Sequence, residues 1–387
     1  MKVTELPNAK IPTPTLHKKK NLSIEGFASE AGTRDFAEKA VKNGILKEHF
    51  RTFQGLTLSS LGMGTYLGET NQETDLLVSQ AIEESVRSGA INVIDTAINY
   101  RFQKAERSVG NALKKIVEGG IAERSGIFVA TKNGYLTSDA DLKLDFWKYV
   151  QENLVKPGVI SPEEISSGMH CMSVNYLKDQ LNRSLRNLGV ECIDLMYLHN
   201  AAESQLNDIG REEFSEKLRS VFQFYSEMRK EGKIRYYGLA TWSCFRVPME
   251  SPEYLSLAEV VSIAEEVDDN HGFKFIQLPF NLAMREAFIS KNQEVNGEML
   301  STLEAAKRLG IGVFTSVPLM QGRLLDPRML PIIEGIDEPS LKCLQIARSA
   351  PLISPVIGQK NPIHVIENLR IARLPLMEYE KLVSILS

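Results

Sequence analysis

The chain has 387 residues, 43% hydrophobic and 24% charged, with a formal net charge of −4. That is globular composition with ample core material, and it excludes nucleic acid or an anionic membrane as the main partner. The four cysteines, Cys171, Cys192, Cys244 and Cys343, form no C-x-x-C pair, and no second ligand pair accompanies His170-Cys171, so neither a disulfide framework nor a metal site is expected.

Residues 1 to about 50 read as a polar N-terminal extension. Pro7, Pro12 and Pro14 break it early, and Lys18-Lys19-Lys20 reads as part of a solvated tail. It lacks the apolar run of a signal peptide, and no later stretch is apolar enough to span a bilayer, so a cytoplasmic location is expected. A short helix is predicted over residues 35–47. From residue 56 onward, short β-branched runs alternate with stretches of helical period. The predicted strands are residues 58–65, 91–96, 127–132, 193–199, 234–241, 273–280, 311–317 and 352–358. The plainest helix starts after Ser173 as N-cap, carries Leu177, Leu181, Leu185 and Leu188 on one stripe, and stops at Gly189. Others carry Leu77, Ala81 and Val86, or span residues 212–231. The connection over residues 134–172 is too long for a simple loop and reads as an insertion holding a short helix over 141–154.

A β-then-α repeat of about eight units suggests a closed barrel or a doubly wound sheet. The first βα turn carries no G-x-G-x-x-G, which argues against the doubly wound alternative. The expected fold is therefore α/β, a (β/α)8 TIM barrel over residues 51–387.

Three successive predicted strands end in chemistry-bearing residues: Asp95, Lys132 and His199, with Tyr100 on the loop beyond Asp95. In a barrel all strand C-termini share one face, and active sites form there. Singly, each has a plain structural explanation: a turn-capping aspartate, a half-buried tyrosine, a snorkelling lysine, a core histidine. Together they make a reduction site. A tyrosine could hand its proton to a developing alkoxide, a nearby ammonium would lower its pKa, an aspartate would hold the ammonium, and a neutral imidazole could orient the carbonyl. No side chain supplies a hydride, so a redox cofactor is implied.

The segments Asp95-Thr96-Ala97-Ile98-Asn99-Tyr100, Thr131-Lys132, Asp194-Leu195-Met196-Tyr197-Leu198-His199, Gly62-Met63-Gly64-Thr65 and Gly358-Gln359-Lys360 resemble, in order, those of the aldo/keto reductase family. The likeness runs from about Leu58 to Leu369. It implies a transfer of hydride between NADP, or NAD, and a small aldehyde, ketone or alcohol. It also implies Tyr100 as proton donor, tuned by Asp95 and Lys132, with His199 orienting the substrate. Cofactor contacts are implied at Gly64, Thr65, Thr241, Gln277, Ser316, Pro318, Leu319, Gly358, Lys360, Glu367 and Asn368, with Asn281 near the nicotinamide. Lys360 would face a 2′-phosphate. The chain departs from the family where Ala240-Thr241-Trp242 replaces Ser-Asn, where Ser316 replaces a stacking aromatic, and where Arg101 replaces the glycine after the tyrosine; Arg101 is either a pocket-mouth cation or a surface arginine. Two other uses of this barrel remain open in sequence. One is a cofactor-sensing regulatory subunit; the other is a lyase using Lys132 as a Schiff base.

Overall fold

The computed structural model describes residues 23–387. The early prolines and the basic run lie outside the described residues. The first helix, α1 (Glu30–Lys42), begins earlier than the predicted 35–47, because the Ser29 hydroxyl caps it by accepting from the Gly32 amide at 3.0 Å. Its inner face sets Phe36 and Ala40 into the main core, so this part of the expected extension is packed.

A hairpin follows, β1 (Phe50–Phe53) and β2 (Leu56–Ser59), closed by Gln54 and Gly55 at φ 50° and 75°. Two positive φ values in a two-residue loop match the strand twist. β3 (Gly62–Gly64) then enters the barrel. The single strand expected over 58–65 is thus two elements. Leu56 and Leu58 are buried on one face of a ribbon, with Thr57 less buried between them. They pack with Val93, Phe128, Phe275 and Phe314 to plug the N-terminal mouth of the barrel.

The remaining strands are β4 (Val93–Asp95), β5 (Phe128–Asn133), β6 (Ile193–His199), β7 (Ile234–Ala240), β8 (Phe273–Pro279), the outer hairpin β9 (Lys291–Val295) and β10 (Glu298–Ser301), then β11 (Gly312–Ser316) and β12 (Ser354–Gly358). The order β11-β12-β3-β4-β5-β6-β7-β8 closes into a parallel barrel. This is the (β/α)8 fold, each barrel strand lying within a run anticipated from sequence except β5, which runs one residue past the expected 127–132 to Asn133. Register sets Asp95 beside Gly64 and Ala130, Lys132 beside Tyr197, and Ala240 beside both His199 and Gln277. The C-terminal ends of these strands therefore present the four candidate side chains to one mouth.

Around the barrel run α2 (Gln72–Arg87), α3 (Lys104–Glu118), α4 (Phe146–Val150), α5 (Val174–Leu188), α6 (Ala201–Lys230), α7 (Leu257–Val267), α8 (Glu286–Ile289), α9 (Thr302–Arg308), α10 (Pro339–Ser349), α11 (Pro362–Leu369) and α12 (Tyr379–Leu386). Ser173 occupies the N-cap position of α5 without a capping bond from its side chain, and Gly189 ends the helix in the left-handed region at φ 64°. α6 starts well before the predicted 212, with Gly210 breaking it at φ 76° and ψ 171°. In the 134–172 segment, α4 runs on into a wider turn to Val155, later than the predicted 141–154. That segment has its own small core of Leu136, Tyr149, Leu154 and Ile160. Arg107–Asp139 at 2.6 Å and Lys104–Asp141 at 3.2 Å tie it to α3.

Candidate active site

Lys132 is almost fully buried at the end of β5. Its Nζ lies 2.5 Å from Asp95 Oδ1 and donates to the Thr96 carbonyl at 2.8 Å. The other Asp95 oxygen accepts from Gln277 Nε2 at 2.9 Å. The ammonium sits 4.8 Å from the Tyr100 ring centroid. The Tyr100 ring in turn lies 5.8 Å from that of His199 and 5.0 Å from that of Tyr66. Asp95, Tyr100, Lys132 and His199, from three successive βα units, are thus brought together.

Burial sets the protonation states. It pushes the Tyr100 phenol above its ordinary pKa; Lys132 pulls the other way without cancelling it, and Asp95 reinforces the rise. The lysine expected to lower this pKa is therefore outweighed, because leaving water costs the phenolate more than the paired ammonium returns. Burial also opposes charge on Lys132, but Asp95 and Tyr100 overcome it and hold the ammonium above the usual lysine value. An ammonium so engaged is no amine nucleophile, which removes the support for a Schiff-base lyase. Burial, with Lys132 and His170 adding, drives His199 well below the usual imidazole range, so its ring is neutral.

The Nδ1 of His199 is buried without a partner among the described residues. A buried orphan acceptor is tolerated better than a buried orphan N–H. The proton therefore belongs on Nε2, which makes that nitrogen a donor. Tyr135, the residue after Gly134, packs its ring 5.0 Å from His199 and 5.4 Å from His170. Gly134 sits at φ 116°, and a Cβ there would collide with the His170 ring.

A cavity of about 460 Å³ opens over Asp95, Tyr100 and His199. A second, of about 490 Å³, continues from it; the two share Gly64, Thr65, Leu67, Leu319 and Gly358. Thr241, Gln277, Ser316 and Pro318 line the first, and Lys360, Glu367 and Asn368 line the second. Of the residues the resemblance named for the cofactor, all but Asn281 thus line these two cavities. Two strained runs flank it: Arg101, Phe102 and Gln103 after Tyr100, and Val317, Met320 and Gln321 after β11, all at positive φ. Left-handed backbone is costly for such residues, above all for the β-branched Val317.

Two expectations change. Arg101 is neither a pocket-mouth cation nor a surface arginine. It is buried, paired with Asp75 at 2.6 Å and bonded to Ser108 at 2.9 Å, and it is not among the residues lining the cavity. The amide of Asn281 is used by the chain itself: Nδ2 donates to the Val317 carbonyl at 2.9 Å and Oδ1 accepts from the Ala283 and Met284 amides. Sequence reasoning also passed over Tyr66, Asn99 and Tyr135 as cavity walls. Tyr66 follows Thr65 and Tyr135 follows Asn133-Gly134, so their place just beyond barrel strands was the available signal.

A family model described as the aldo/keto reductase family matches residues 60–340. Among curated proteins, the chain is 29% identical over 210 residues to an NADH-specific methylglyoxal reductase of Escherichia coli, covering 53% of this chain and 54% of that one. It is 24% identical over 290 residues to an uncharacterized oxidoreductase of Schizosaccharomyces pombe, covering 74% and 71%. A further uncharacterized oxidoreductase, from Bacillus subtilis, is 24% identical over 208 residues, covering 54% and 52%. The chain therefore spans about half the length of the first and third of these relatives. The fold is shared with the holo form of an aldo-keto reductase from Bacillus halodurans, at TM-score 0.58 and 20% identity over 87% of this chain and 94% of that one. It is also shared with an aldo/keto reductase from Klebsiella pneumoniae solved with NADP and acetate, at TM-score 0.56 and 18% identity over 88% and 94%.

Proposed function

This chain belongs to the aldo/keto reductase family, and from that premise we propose that it is an NADP-dependent oxidoreductase of small aldehydes, ketones or the corresponding alcohols, with Tyr100 as proton donor. The observation that carries this is the Lys132 ammonium, 2.5 Å from Asp95 and 4.8 Å from the Tyr100 ring, at the head of a long groove.

The groove's residues fit a dinucleotide. Asn368 Oδ1, buried at the far cavity and without a partner among the described residues, is an acceptor suited to an exocyclic amine. Lys360 stands beside the N-terminal end of α11 at that cavity, where an anion is favoured. Glu367 there accepts a bond from Ser340. A cofactor bound in this groove would supply the hydride.

The protein's own groups do the rest. Tyr100 holds a proton on its phenol oxygen at neutral pH, because burial keeps that phenol neutral. When the carbonyl oxygen gains charge, the phenol gives up that proton, and Lys132 stabilises the phenolate left behind. Asp95 and the Thr96 carbonyl fix the ammonium, and Gln277 fixes Asp95. Neutral His199 donates from Nε2 to the carbonyl oxygen. Lys360 favours NADPH over NADH by its charge. The test is purified protein with NADPH or NADH and a panel of aldehydes and ketones, followed by loss of nicotinamide absorbance. Turnover is expected, faster with NADPH at low nucleotide. No turnover with any carbonyl, and no nucleotide bound, would refute the proposal.

A further inference from the structure

Tyr100 stands at the head of an unfavourable stretch of chain. The next three residues, Arg101, Phe102 and Gln103, take φ of 48°, 51° and 74° in turn. In that region the Cβ crowds the following carbonyl oxygen, and glycine is the residue that enters it freely. Here three residues with side chains enter it consecutively. Arg101 adds a second cost. Its side chain is only 2% exposed, and its Nε is buried without a partner among the described residues.

Helix capping does not account for this run. Gln103 occupies the N-cap position of α3, but its side chain makes no capping bond there. Each of the three residues is instead fastened to another part of the fold. Arg101 donates to Asp75, in the first turn of α2, at 2.6 Å and to Ser108 on α3 at 2.9 Å. The other Asp75 oxygen accepts from Lys104 at 2.8 Å. The Phe102 carbonyl accepts from the Ala140 amide at 3.2 Å. The Gln103 side chain donates to the Ser138 carbonyl at 3.1 Å and accepts from Asn187 on α5 at 3.2 Å. A buried ion pair is a weak source of stability, and its best-attested use is to fix one arrangement among several. A chain that needed only a turn after Tyr100 would be served by glycine at position 101.

We propose that Arg101 is a positioning residue: its pairing with Asp75 holds the strained turn and, through the turn, keeps the Tyr100 phenol beside Lys132. The bonds from Phe102 and Gln103 to the 134–172 segment brace the same turn from its other side. Without the guanidinium the turn relaxes toward ordinary backbone, and Tyr100, its direct neighbour, moves away from the ammonium. A misplacement of about 1 Å costs on the order of a hundredfold in rate. The kinetic consequence rests on the proposed role of Tyr100 as proton donor; the placing of its ring does not.

The test combines Arg101→Met with Tyr100→Phe in the full-length protein. Arg101→Met is expected to lower kcat about thirtyfold, with the KM for the aldehyde and the nucleotide Kd each within about twofold. In the Tyr100→Phe background the same substitution is expected to lower kcat by less than about twofold, because no phenol is left to misplace. An equal loss in both backgrounds, or no loss in the first, overturns the proposal. Where Arg101→Met fails to fold, Arg101→Gly takes its place, since glycine accepts that backbone without strain and Asp75 keeps Lys104. Crystal structures of the wild type and the variant, without nucleotide, read the placing itself. The Tyr100 ring is expected to lie farther from the Lys132 ammonium in the variant by about 1 Å or more. An unchanged separation overturns the proposal. A displaced ring in a protein that turns over no carbonyl would support the positioning role and refute the reductase reading instead.

Discussion

At the N-terminal mouth of the barrel His49 is sealed from solvent with both ring nitrogens bonded, Nε2 to the Ala90 carbonyl at 2.7 Å and Nδ1 with the Ser60 hydroxyl at 2.9 Å. At the opposite mouth His199 is also buried and also neutral, but its Nδ1 has no partner among the described residues and its ring lines a cavity. The buried cations differ in the same way. Arg348, near His49, donates to Gln345 Oε1 at 2.8 Å, Ser60 Oγ at 3.2 Å, and the carbonyls of Leu374 at 2.5 Å and Pro375 at 3.1 Å. Lys132 instead holds one carboxylate and one carbonyl and lies 4.8 Å from the centroid of the Tyr100 ring. His49 and Arg348 bond within the chain and stabilise the fold. The opposite mouth leaves donors and acceptors facing a cavity, which is the state a reacting ligand requires.

The sharpest way to break this contrast is Lys132→Met. It leaves Asp95 buried without its ammonium, so kcat should fall about a thousandfold and stability by about 3–5 kcal/mol. Steady-state kinetics and urea unfolding measure the two losses, and a loss of stability alone would make Lys132 another structural cation.

Acid tests both ends at once. Burial lowers His49 and His170 to about 3 each. A base with a depressed folded pKa contributes stability above its unfolded value, near 6.5, and loses it as pH falls below that value, because only the unfolded chain takes up the proton. These two residues together should cost about 4 kcal/mol of stability between about pH 7 and pH 5. Urea unfolding at both pH values checks this; an unchanged midpoint contradicts it.

At the N-terminal mouth alone, Arg348→Met should lower stability by about 2–3 kcal/mol through orphaned carbonyls, while kcat of the folded protein stays within about twofold. A kcat loss as large as that of Lys132→Met would erase the division of labour. The smallest effect is expected at the groove's far end: Lys360→Ala should raise the KM for NADPH about tenfold and leave that for NADH nearly unchanged. Equal changes would remove the basis for preferring NADPH.

What was legible in sequence follows the same division. Strand β6 was read to the residue, because an apolar run from Leu195 to Leu198 ends at a polar His199. Asp95, Lys132 and His199 could be placed together because parallel strands in a barrel must end on one face. The first strand was misread as continuous, since Leu56 and Leu58 look alike whether they line a barrel or plug it. The hairpin β9–β10 was missed although Asn296-Gly297, at φ 54° and 80°, is a strong hairpin signal between alternating residues. Arg101 was beyond reach, because its partner Asp75 lies on another element and only the folded chain joins them.

The account depends on Tyr100 giving a proton at the head of the groove. Measuring kcat and nucleotide affinity for Tyr100→Phe beside the wild type tests this most directly. The expected result is a kcat lower by about a thousandfold with the nucleotide Kd within about twofold. A Tyr100→Phe enzyme that reduces aldehydes at the wild-type rate would contradict it.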